Sequence, residues 1–166
     1  MKDDCSFENV DESRNGYSMV VSEAISDRRI IAACGNDCTV CPRYVAHPYE
    51  KTNEELSCTA ELWTKIGYRD HIVSNEEIAC TGCKPENWCR YHVVKCCEDK
   101  GIKTCAECGE FPCANMQDCF SVTNSFEPKC RQVCTDQEYE TLKKAFFEKE
   151  QNLKRLQKMA KQMSVF

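Results

Sequence analysis

Cysteine is the side chain whose number and spacing point to chemistry here: there are sixteen among 166 residues. Three pairs share the Cys-x-x-Cys spacing: Cys38 with Cys41, Cys80 with Cys83, and Cys105 with Cys108. Cys34, Cys89, Cys96 and Cys113 lie close to them in the chain. Such a turn suits a tetrahedral ion, because Zn–S bonds of ~2.3 Å place two sulfurs roughly 3.7 Å apart. Amides of the turn face the sulfurs and favour their charged form. Gly82 and Gly109 sit where positive φ is useful.

Helix geometry narrows the grouping. Cys89 and Cys96 are seven apart, about 10.5 Å on one continuous helix, which is too far for one ion. Cys96 and Cys97 point about 100° apart, so only one faces a given metal. The expectation is one set of Cys96, Cys105, Cys108 and Cys113 and another of Cys38, Cys41, Cys80 and Cys83, each holding a zinc ion. Cys34 and Cys89 are substitutes or the start of a third site.

Two readings of other classes compete with zinc. Cys34-x3-Cys38-x2-Cys41 has the spacing of iron–sulfur ligands in radical SAM enzymes, but those need a large barrel that this chain cannot build. An iron–sulfur electron carrier or redox-enzyme subunit is the broader form of that alternative. A thiol-based redox sensor using Cys96 and Cys97 is the other. Cys5, Cys58, Cys119, Cys130 and Cys134 receive no role. His47, His71 and His92 read as surface or satisfied interior side chains. No nucleophile–base–orienter set and no Gly-rich phosphate loop is visible, so no catalytic residue is assigned and the reading leans away from an enzyme.

The elements that must position these thiols are mostly helices. A chain with this much cysteine supplements a thin core with cross-links or metal. Residues 1–29 lack a basic start followed by an apolar run, and no stretch approaches the roughly 20 apolar residues of a membrane span. A soluble, cytoplasmic chain is therefore expected, where reduced Cys-x-x-Cys pairs favour metal over disulfides. Net charge is −5. From Tyr139 onward there are seven Lys/Arg against three Glu, a solvated helix face rather than a nucleic-acid stripe. An unidentified protein partner fits better than a membrane or nucleic acid; no small-molecule substrate can be named.

In chain order, residues 1–28 read as an acidic, poorly structured tail, 29–116 as the cysteine-rich domain, and 117–166 as an irregular connector and a C-terminal helix packed on that domain. A short helix is expected over 43–47. Thr52 caps a helix whose face is Leu56, Ala60, Trp63 and Ile66, with Gly67 as its stop. Ile72 and Val73 form a brief extended piece. Another helix spans about 90–100, stopped by Gly101. The region around Cys119, Pro128, Cys130 and Cys134 reads as irregular. Thr135 and Glu138 form a capping box for a long amphipathic helix reaching about 162. Its face is Leu142, Phe146, Leu153, Leu156, Ala160 and Met163, with a polar gap at Lys149. The fold class is mainly α: short helices joined by metal-stabilised loops.

The run Ala32-Ala33-Cys34-Gly35-x2-Cys38-x2-Cys41-Pro42-x-Tyr44-Val45-Ala46 resembles the opening of a widespread, uncharacterised family of small cysteine-rich microbial proteins. The likeness continues through Ala60-Glu61-Leu62-Trp63 and Cys80-Thr81-Gly82-Cys83. It ends on the Lys100-Gly101-x3-Cys105-x2-Cys108-x2-Phe111-Pro112-Cys113 hook, so it covers roughly residues 30–116. That family is catalogued as a domain of unknown function and taken to bind zinc. The resemblance implies a metal-binding fold and no particular activity. Cys119, Cys130, Cys134 and the acidic N-terminus depart from it.

Overall fold

Thr52 begins the first helix as its residue type requires. Its hydroxyl accepts from the Glu55 amide at 3.2 Å, while the Glu55 carboxylate takes the Thr52 amide at 2.6 Å. This is helix α1, Asn53–Lys65, and it buries the expected Leu56, Ala60 and Trp63. Gly67, at φ 78°, ends it. The computed structural model describes residues 29–46, 50–87 and 89–163. The expected tail at 1–28 with Cys5, and also His47 and Trp88, lie outside the described residues.

The chain is mainly helical, with 56 % helix, 3 % strand and no sheet among the described residues, so helices and loops must position the thiols. After α1 come α2 (Asn75–Ile78), α3 (Val93–Asp99), α4 (Ala114–Ser125), α5 (Glu127–Val133), α6 (Asp136–Leu142) and α7 (Lys149–Met163). A 3-10 turn covers Cys105–Glu107, and a π-helical segment, Lys143–Phe147, joins α6 to α7. Among the described residues no helix is long and apolar enough to cross a membrane.

Three local expectations need correction. Residues 43–46 form no helix, because Tyr44 spends its backbone on a bridge to Cys80. No strand forms at Ile72 and Val73; Val73 is buried, whereas Ile72 is 60 % exposed. The supposedly irregular stretch after Cys113 is α4 followed by α5. Met116, Cys119 and Phe120 recur at helical spacing and are all buried. Pro128 sits in the first turn of α5, where its missing amide costs nothing. The capping box at Thr135 and Glu138 is present, and the long C-terminal helix is α7, preceded by the π segment.

Two clusters of buried side chains make the core. One joins α1, α2, α5 and α6 through Leu56, Trp63, Ile78, Cys130 and Leu142. The other joins α3, α4 and α7 to the cysteine loops through Ala33, Val93, Cys97, Cys105, Phe120 and Leu153. The polar gap in the α7 face is itself buried: Lys149 is 6 % exposed.

Candidate metal centre

The first two knuckles are brought together by backbone bonds. Tyr44 and Cys80 form a parallel bridge, with the Cys80 amide donating to the Arg43 carbonyl at 2.8 Å and the Val45 amide to that of Cys80 at 2.9 Å. Arg43 Nε donates to the Ile78 carbonyl at 2.8 Å, a second tie between the two segments. Within the first knuckle the Cys41 amide donates to the Cys38 carbonyl at 3.2 Å. Gly82 takes φ 101° in the second knuckle, and a Cβ there would lie 3.7 Å from the Tyr44 ring. Cys38, Cys41, Cys80 and Cys83, grouped from their spacing, thus share one neighbourhood.

Cys34 acts electrostatically on Cys38 and Cys83 and also on Cys105, and Cys89 acts on Cys83. Burial pushes the Cys38 thiol up to about 12, and the neighbouring Cys41, Cys83, Cys80 and Cys34 add to the rise. Cys83 is pushed up to about 11 by burial and then by Cys34, Cys80, Cys89 and Cys41. Burial also raises Cys41, opposed by a backbone bond at Arg43 and by the Arg43 charge. Crowded thiols that cannot ionise together become stable as thiolates once a cation replaces their protons.

The second knuckle set differs from the spacing argument in one member. Cys97 Sγ lies 3.9 Å from Cys105 Sγ, both buried, close to the roughly 3.7 Å edge of a zinc–thiolate tetrahedron. Cys96 is exposed. Val93 and Cys97, four apart, are the buried positions of α3, so the face that buries Val93 also turns Cys97 inward. Cys105 is fixed by its amide bond to the Ala33 carbonyl at 3.0 Å. Its thiol is raised by burial first and then by Cys97, Cys34 and Cys113. Cys108 Sγ accepts from Lys100 Nζ at 3.4 Å, and the same ammonium pairs with Glu110 at 2.5 Å. Cys113 is the N-cap residue of α4.

The remaining thiols went unassigned in the sequence. Cys119 is 4 % exposed and lies 3.8 Å from Lys149 Nζ. Burial raises its thiol against the lowering effect of Lys149, and Cys34 and Cys89 are among its neighbours. Its helical spacing with Met116 and Phe120 was the available signal, had cysteine been counted as apolar. Cys130 and Cys134 are one turn apart at the end of α5, in the cluster built on α1, α2 and α6. Cys58 is disulfide-bonded. His92 is exposed in a left-handed conformation, φ 48°, before α3, and His71 is exposed beside Asp70.

Among the described residues no three His, Cys, Asp or Glu side chains are arranged to hold an ion as they stand.

The fold and the grouped thiols define a small, mainly helical cysteine-rich protein. Its residues 30–118 match the model of a family described as protein of unknown function, DUF3795, and the chain belongs to that family. No curated protein and no solved structure matched the chain.

Proposed function

We propose that this chain is a thiolate metal-binding protein. In this reading zinc, held by Cys38, Cys41, Cys80 and Cys83 with Cys34 and Cys89 beside them, and by Cys97, Cys105, Cys108 and Cys113, organises an interaction or regulatory domain of the cytoplasm. The observation that carries it is the 3.9 Å separation of the Cys97 and Cys105 sulfurs, which matches two corners of a ZnS4 tetrahedron. A closed all-thiolate site of this kind is structural rather than catalytic. Its apparent worth, on the order of 10–16 kcal/mol in zinc-finger peptides, offsets a divided core.

The test is metal identity and stoichiometry in protein purified without air. One or more zinc ions per chain is the expected result; less than one equivalent of any metal overturns the reading. An iron–sulfur electron carrier is the second reading, favoured by Cys34 and Cys41 both neighbouring Cys38. Brown, iron-containing protein selects it, and a colourless anaerobic preparation rejects it.

A further inference from the structure

The buried contact between Cys97 and Cys105 has a second chemistry open to it. Their sulfurs stand 3.9 Å apart, whereas a disulfide needs about 2.05 Å, so the pair is in contact and unbonded. The backbone between them is already folded back. Gly101 takes φ 66° just past the end of α3, and the Ile102 amide returns to the Cys97 carbonyl at 2.9 Å. Cys105 then opens the 3-10 turn, its own amide tied to the Ala33 carbonyl at 3.0 Å, while the Glu107 carboxylate accepts the Thr104 amide at 3.2 Å. Closing this short loop with a covalent bond therefore costs little further chain entropy.

The surroundings suit the oxidised form. Ala33, Val93, Ala106 and Met116 share the cluster with both sulfurs, and a disulfide brings neither charge nor a polar hydrogen into it. Cys96 stays outside. Successive helix residues point about 100° apart, and α3 turns Cys97 into the cluster while Cys96 is exposed.

We propose that Cys97 and Cys105 form a reversible redox pair, a dithiol in the reduced chain and a disulfide after oxidation by hydrogen peroxide. One thiol takes an oxygen from the peroxide, giving a sulfenic acid and water; the other sulfur displaces that oxygen as a second water. Two thiols and one hydrogen peroxide thus give one disulfide and two waters, the two electrons passing from sulfur to peroxide oxygen. A dithiol reductant reverses the step through a mixed disulfide. The pairing itself needs no metal. Its consequence for zinc rests on the metal-binding reading: sulfurs bonded at ~2.05 Å cannot also hold two corners of a zinc tetrahedron roughly 3.7 Å apart. Oxidation therefore releases the ion shared with Cys108 and Cys113. In a reducing compartment such a bond acts as a switch rather than a staple.

The experiment treats the full-length, reduced chain with hydrogen peroxide, once after chelation and once loaded with zinc, then blocks the remaining thiols and maps the peptides. In the chelated chain the peptides carrying Cys97 and Cys105 are expected linked, two hydrogens lighter, and parted again by dithiothreitol. The link should persist in Cys96→Ser and Cys108→Ser and vanish in Cys97→Ser and Cys105→Ser. In the loaded chain it should appear together with the loss of one zinc ion. No link in the chelated chain, or a link running through Cys96 or Cys108 instead, overturns the pair whether or not zinc binds. A link formed with zinc content unchanged overturns the exclusion of metal by disulfide. A chain that forms the link but takes up no zinc keeps the pair and loses the metal-binding reading. If Cys97→Ser or Cys105→Ser fails to fold, fragmentation of the linked peptides from Cys96→Ser assigns the two sulfurs.

Discussion

Cys97 and Cys105 face each other across a buried contact with their sulfurs 3.9 Å apart, while Cys96, the next residue along α3 from Cys97, is exposed. The two neighbours should therefore answer substitution differently. Cys97→Ser places a hydroxyl in a buried apolar setting, costing about 1–3 kcal/mol from packing alone, with about 2–4 °C of Tm per kcal/mol for a chain of this size. Loss of a ligand adds to that in metal-loaded protein. Cys96→Ser should stay within about 0.5 kcal/mol. Thermal melts with and without chelator distinguish the two, and equal behaviour of the variants would remove Cys97 from the site.

Raised thiols make the metal-free chain sensitive to alkali. Cys38 is pushed up to about 12 and Cys83 to about 11 from an ordinary value of 9.0. The folded state therefore holds those protons more tightly than the unfolded state. That contribution is complete below about pH 9 and is lost as pH rises through about 11 to 12. Metal reverses the dependence, because bound thiolates are already deprotonated and acid competes for them. Melting temperatures across pH, for chelated and loaded protein, should slope in opposite directions; parallel profiles would contradict thiolate ligation.

Local chemistry was legible in the sequence and long-range packing was not. The capping boxes at Thr52 and Thr135 depend on residues three apart, so α1 and α6 could be located directly. Residues 114–133 are helical, against the irregular stretch that their sequence suggests, because Cys119 and Cys130 act as core side chains and Pro128 lies where a helix tolerates proline. The long C-terminal helix was anticipated; its π segment was not, because the extra residue per turn is set by how α6 and α7 meet different clusters. That Cys97 rather than Cys96 is buried depends on how α3 is rotated, although Val93 four residues earlier carried the clue. The meeting of the 38–41 and 80–83 knuckles rests on the bridge at Tyr44, which no spacing rule announces.

Gly35 is where α7 presses on the cysteine loop. At φ 92° a Cβ there would strike the Lys149 carbonyl and come 2.9 Å from Leu153 Cγ. Gly35→Ala combines left-handed strain with overpacking, about 2–5 kcal/mol together. Gly101 has φ 66° and nothing within 4 Å of the same atom, so Gly101→Ala costs the backbone term alone, about 1 kcal/mol. Denaturant midpoints should separate the pair clearly. Equal losses would mean that α7 does not seat against the Cys34 turn.

Lys149 carries an ammonium into the cluster that packs α4 against α7. Its Nζ donates to Thr123 Oγ1 at 2.8 Å and Cys119 Sγ at 3.8 Å, and no described ion pair gives it a carboxylate. Desolvating that charge is costly for two neutral partners. Replacing it with an unbranched apolar side chain of similar length keeps the packing and removes the penalty, whereas truncation opens a cavity. In metal-free protein Lys149→Met is thus expected to be neutral or stabilising by about 1–2 kcal/mol, and Lys149→Ala destabilising by about 2–4 kcal/mol. Equilibrium unfolding in urea reads both. If Lys149→Met destabilises as much as Lys149→Ala, the ammonium itself holds α7 to α4 through its bonds to Thr123 and Cys119.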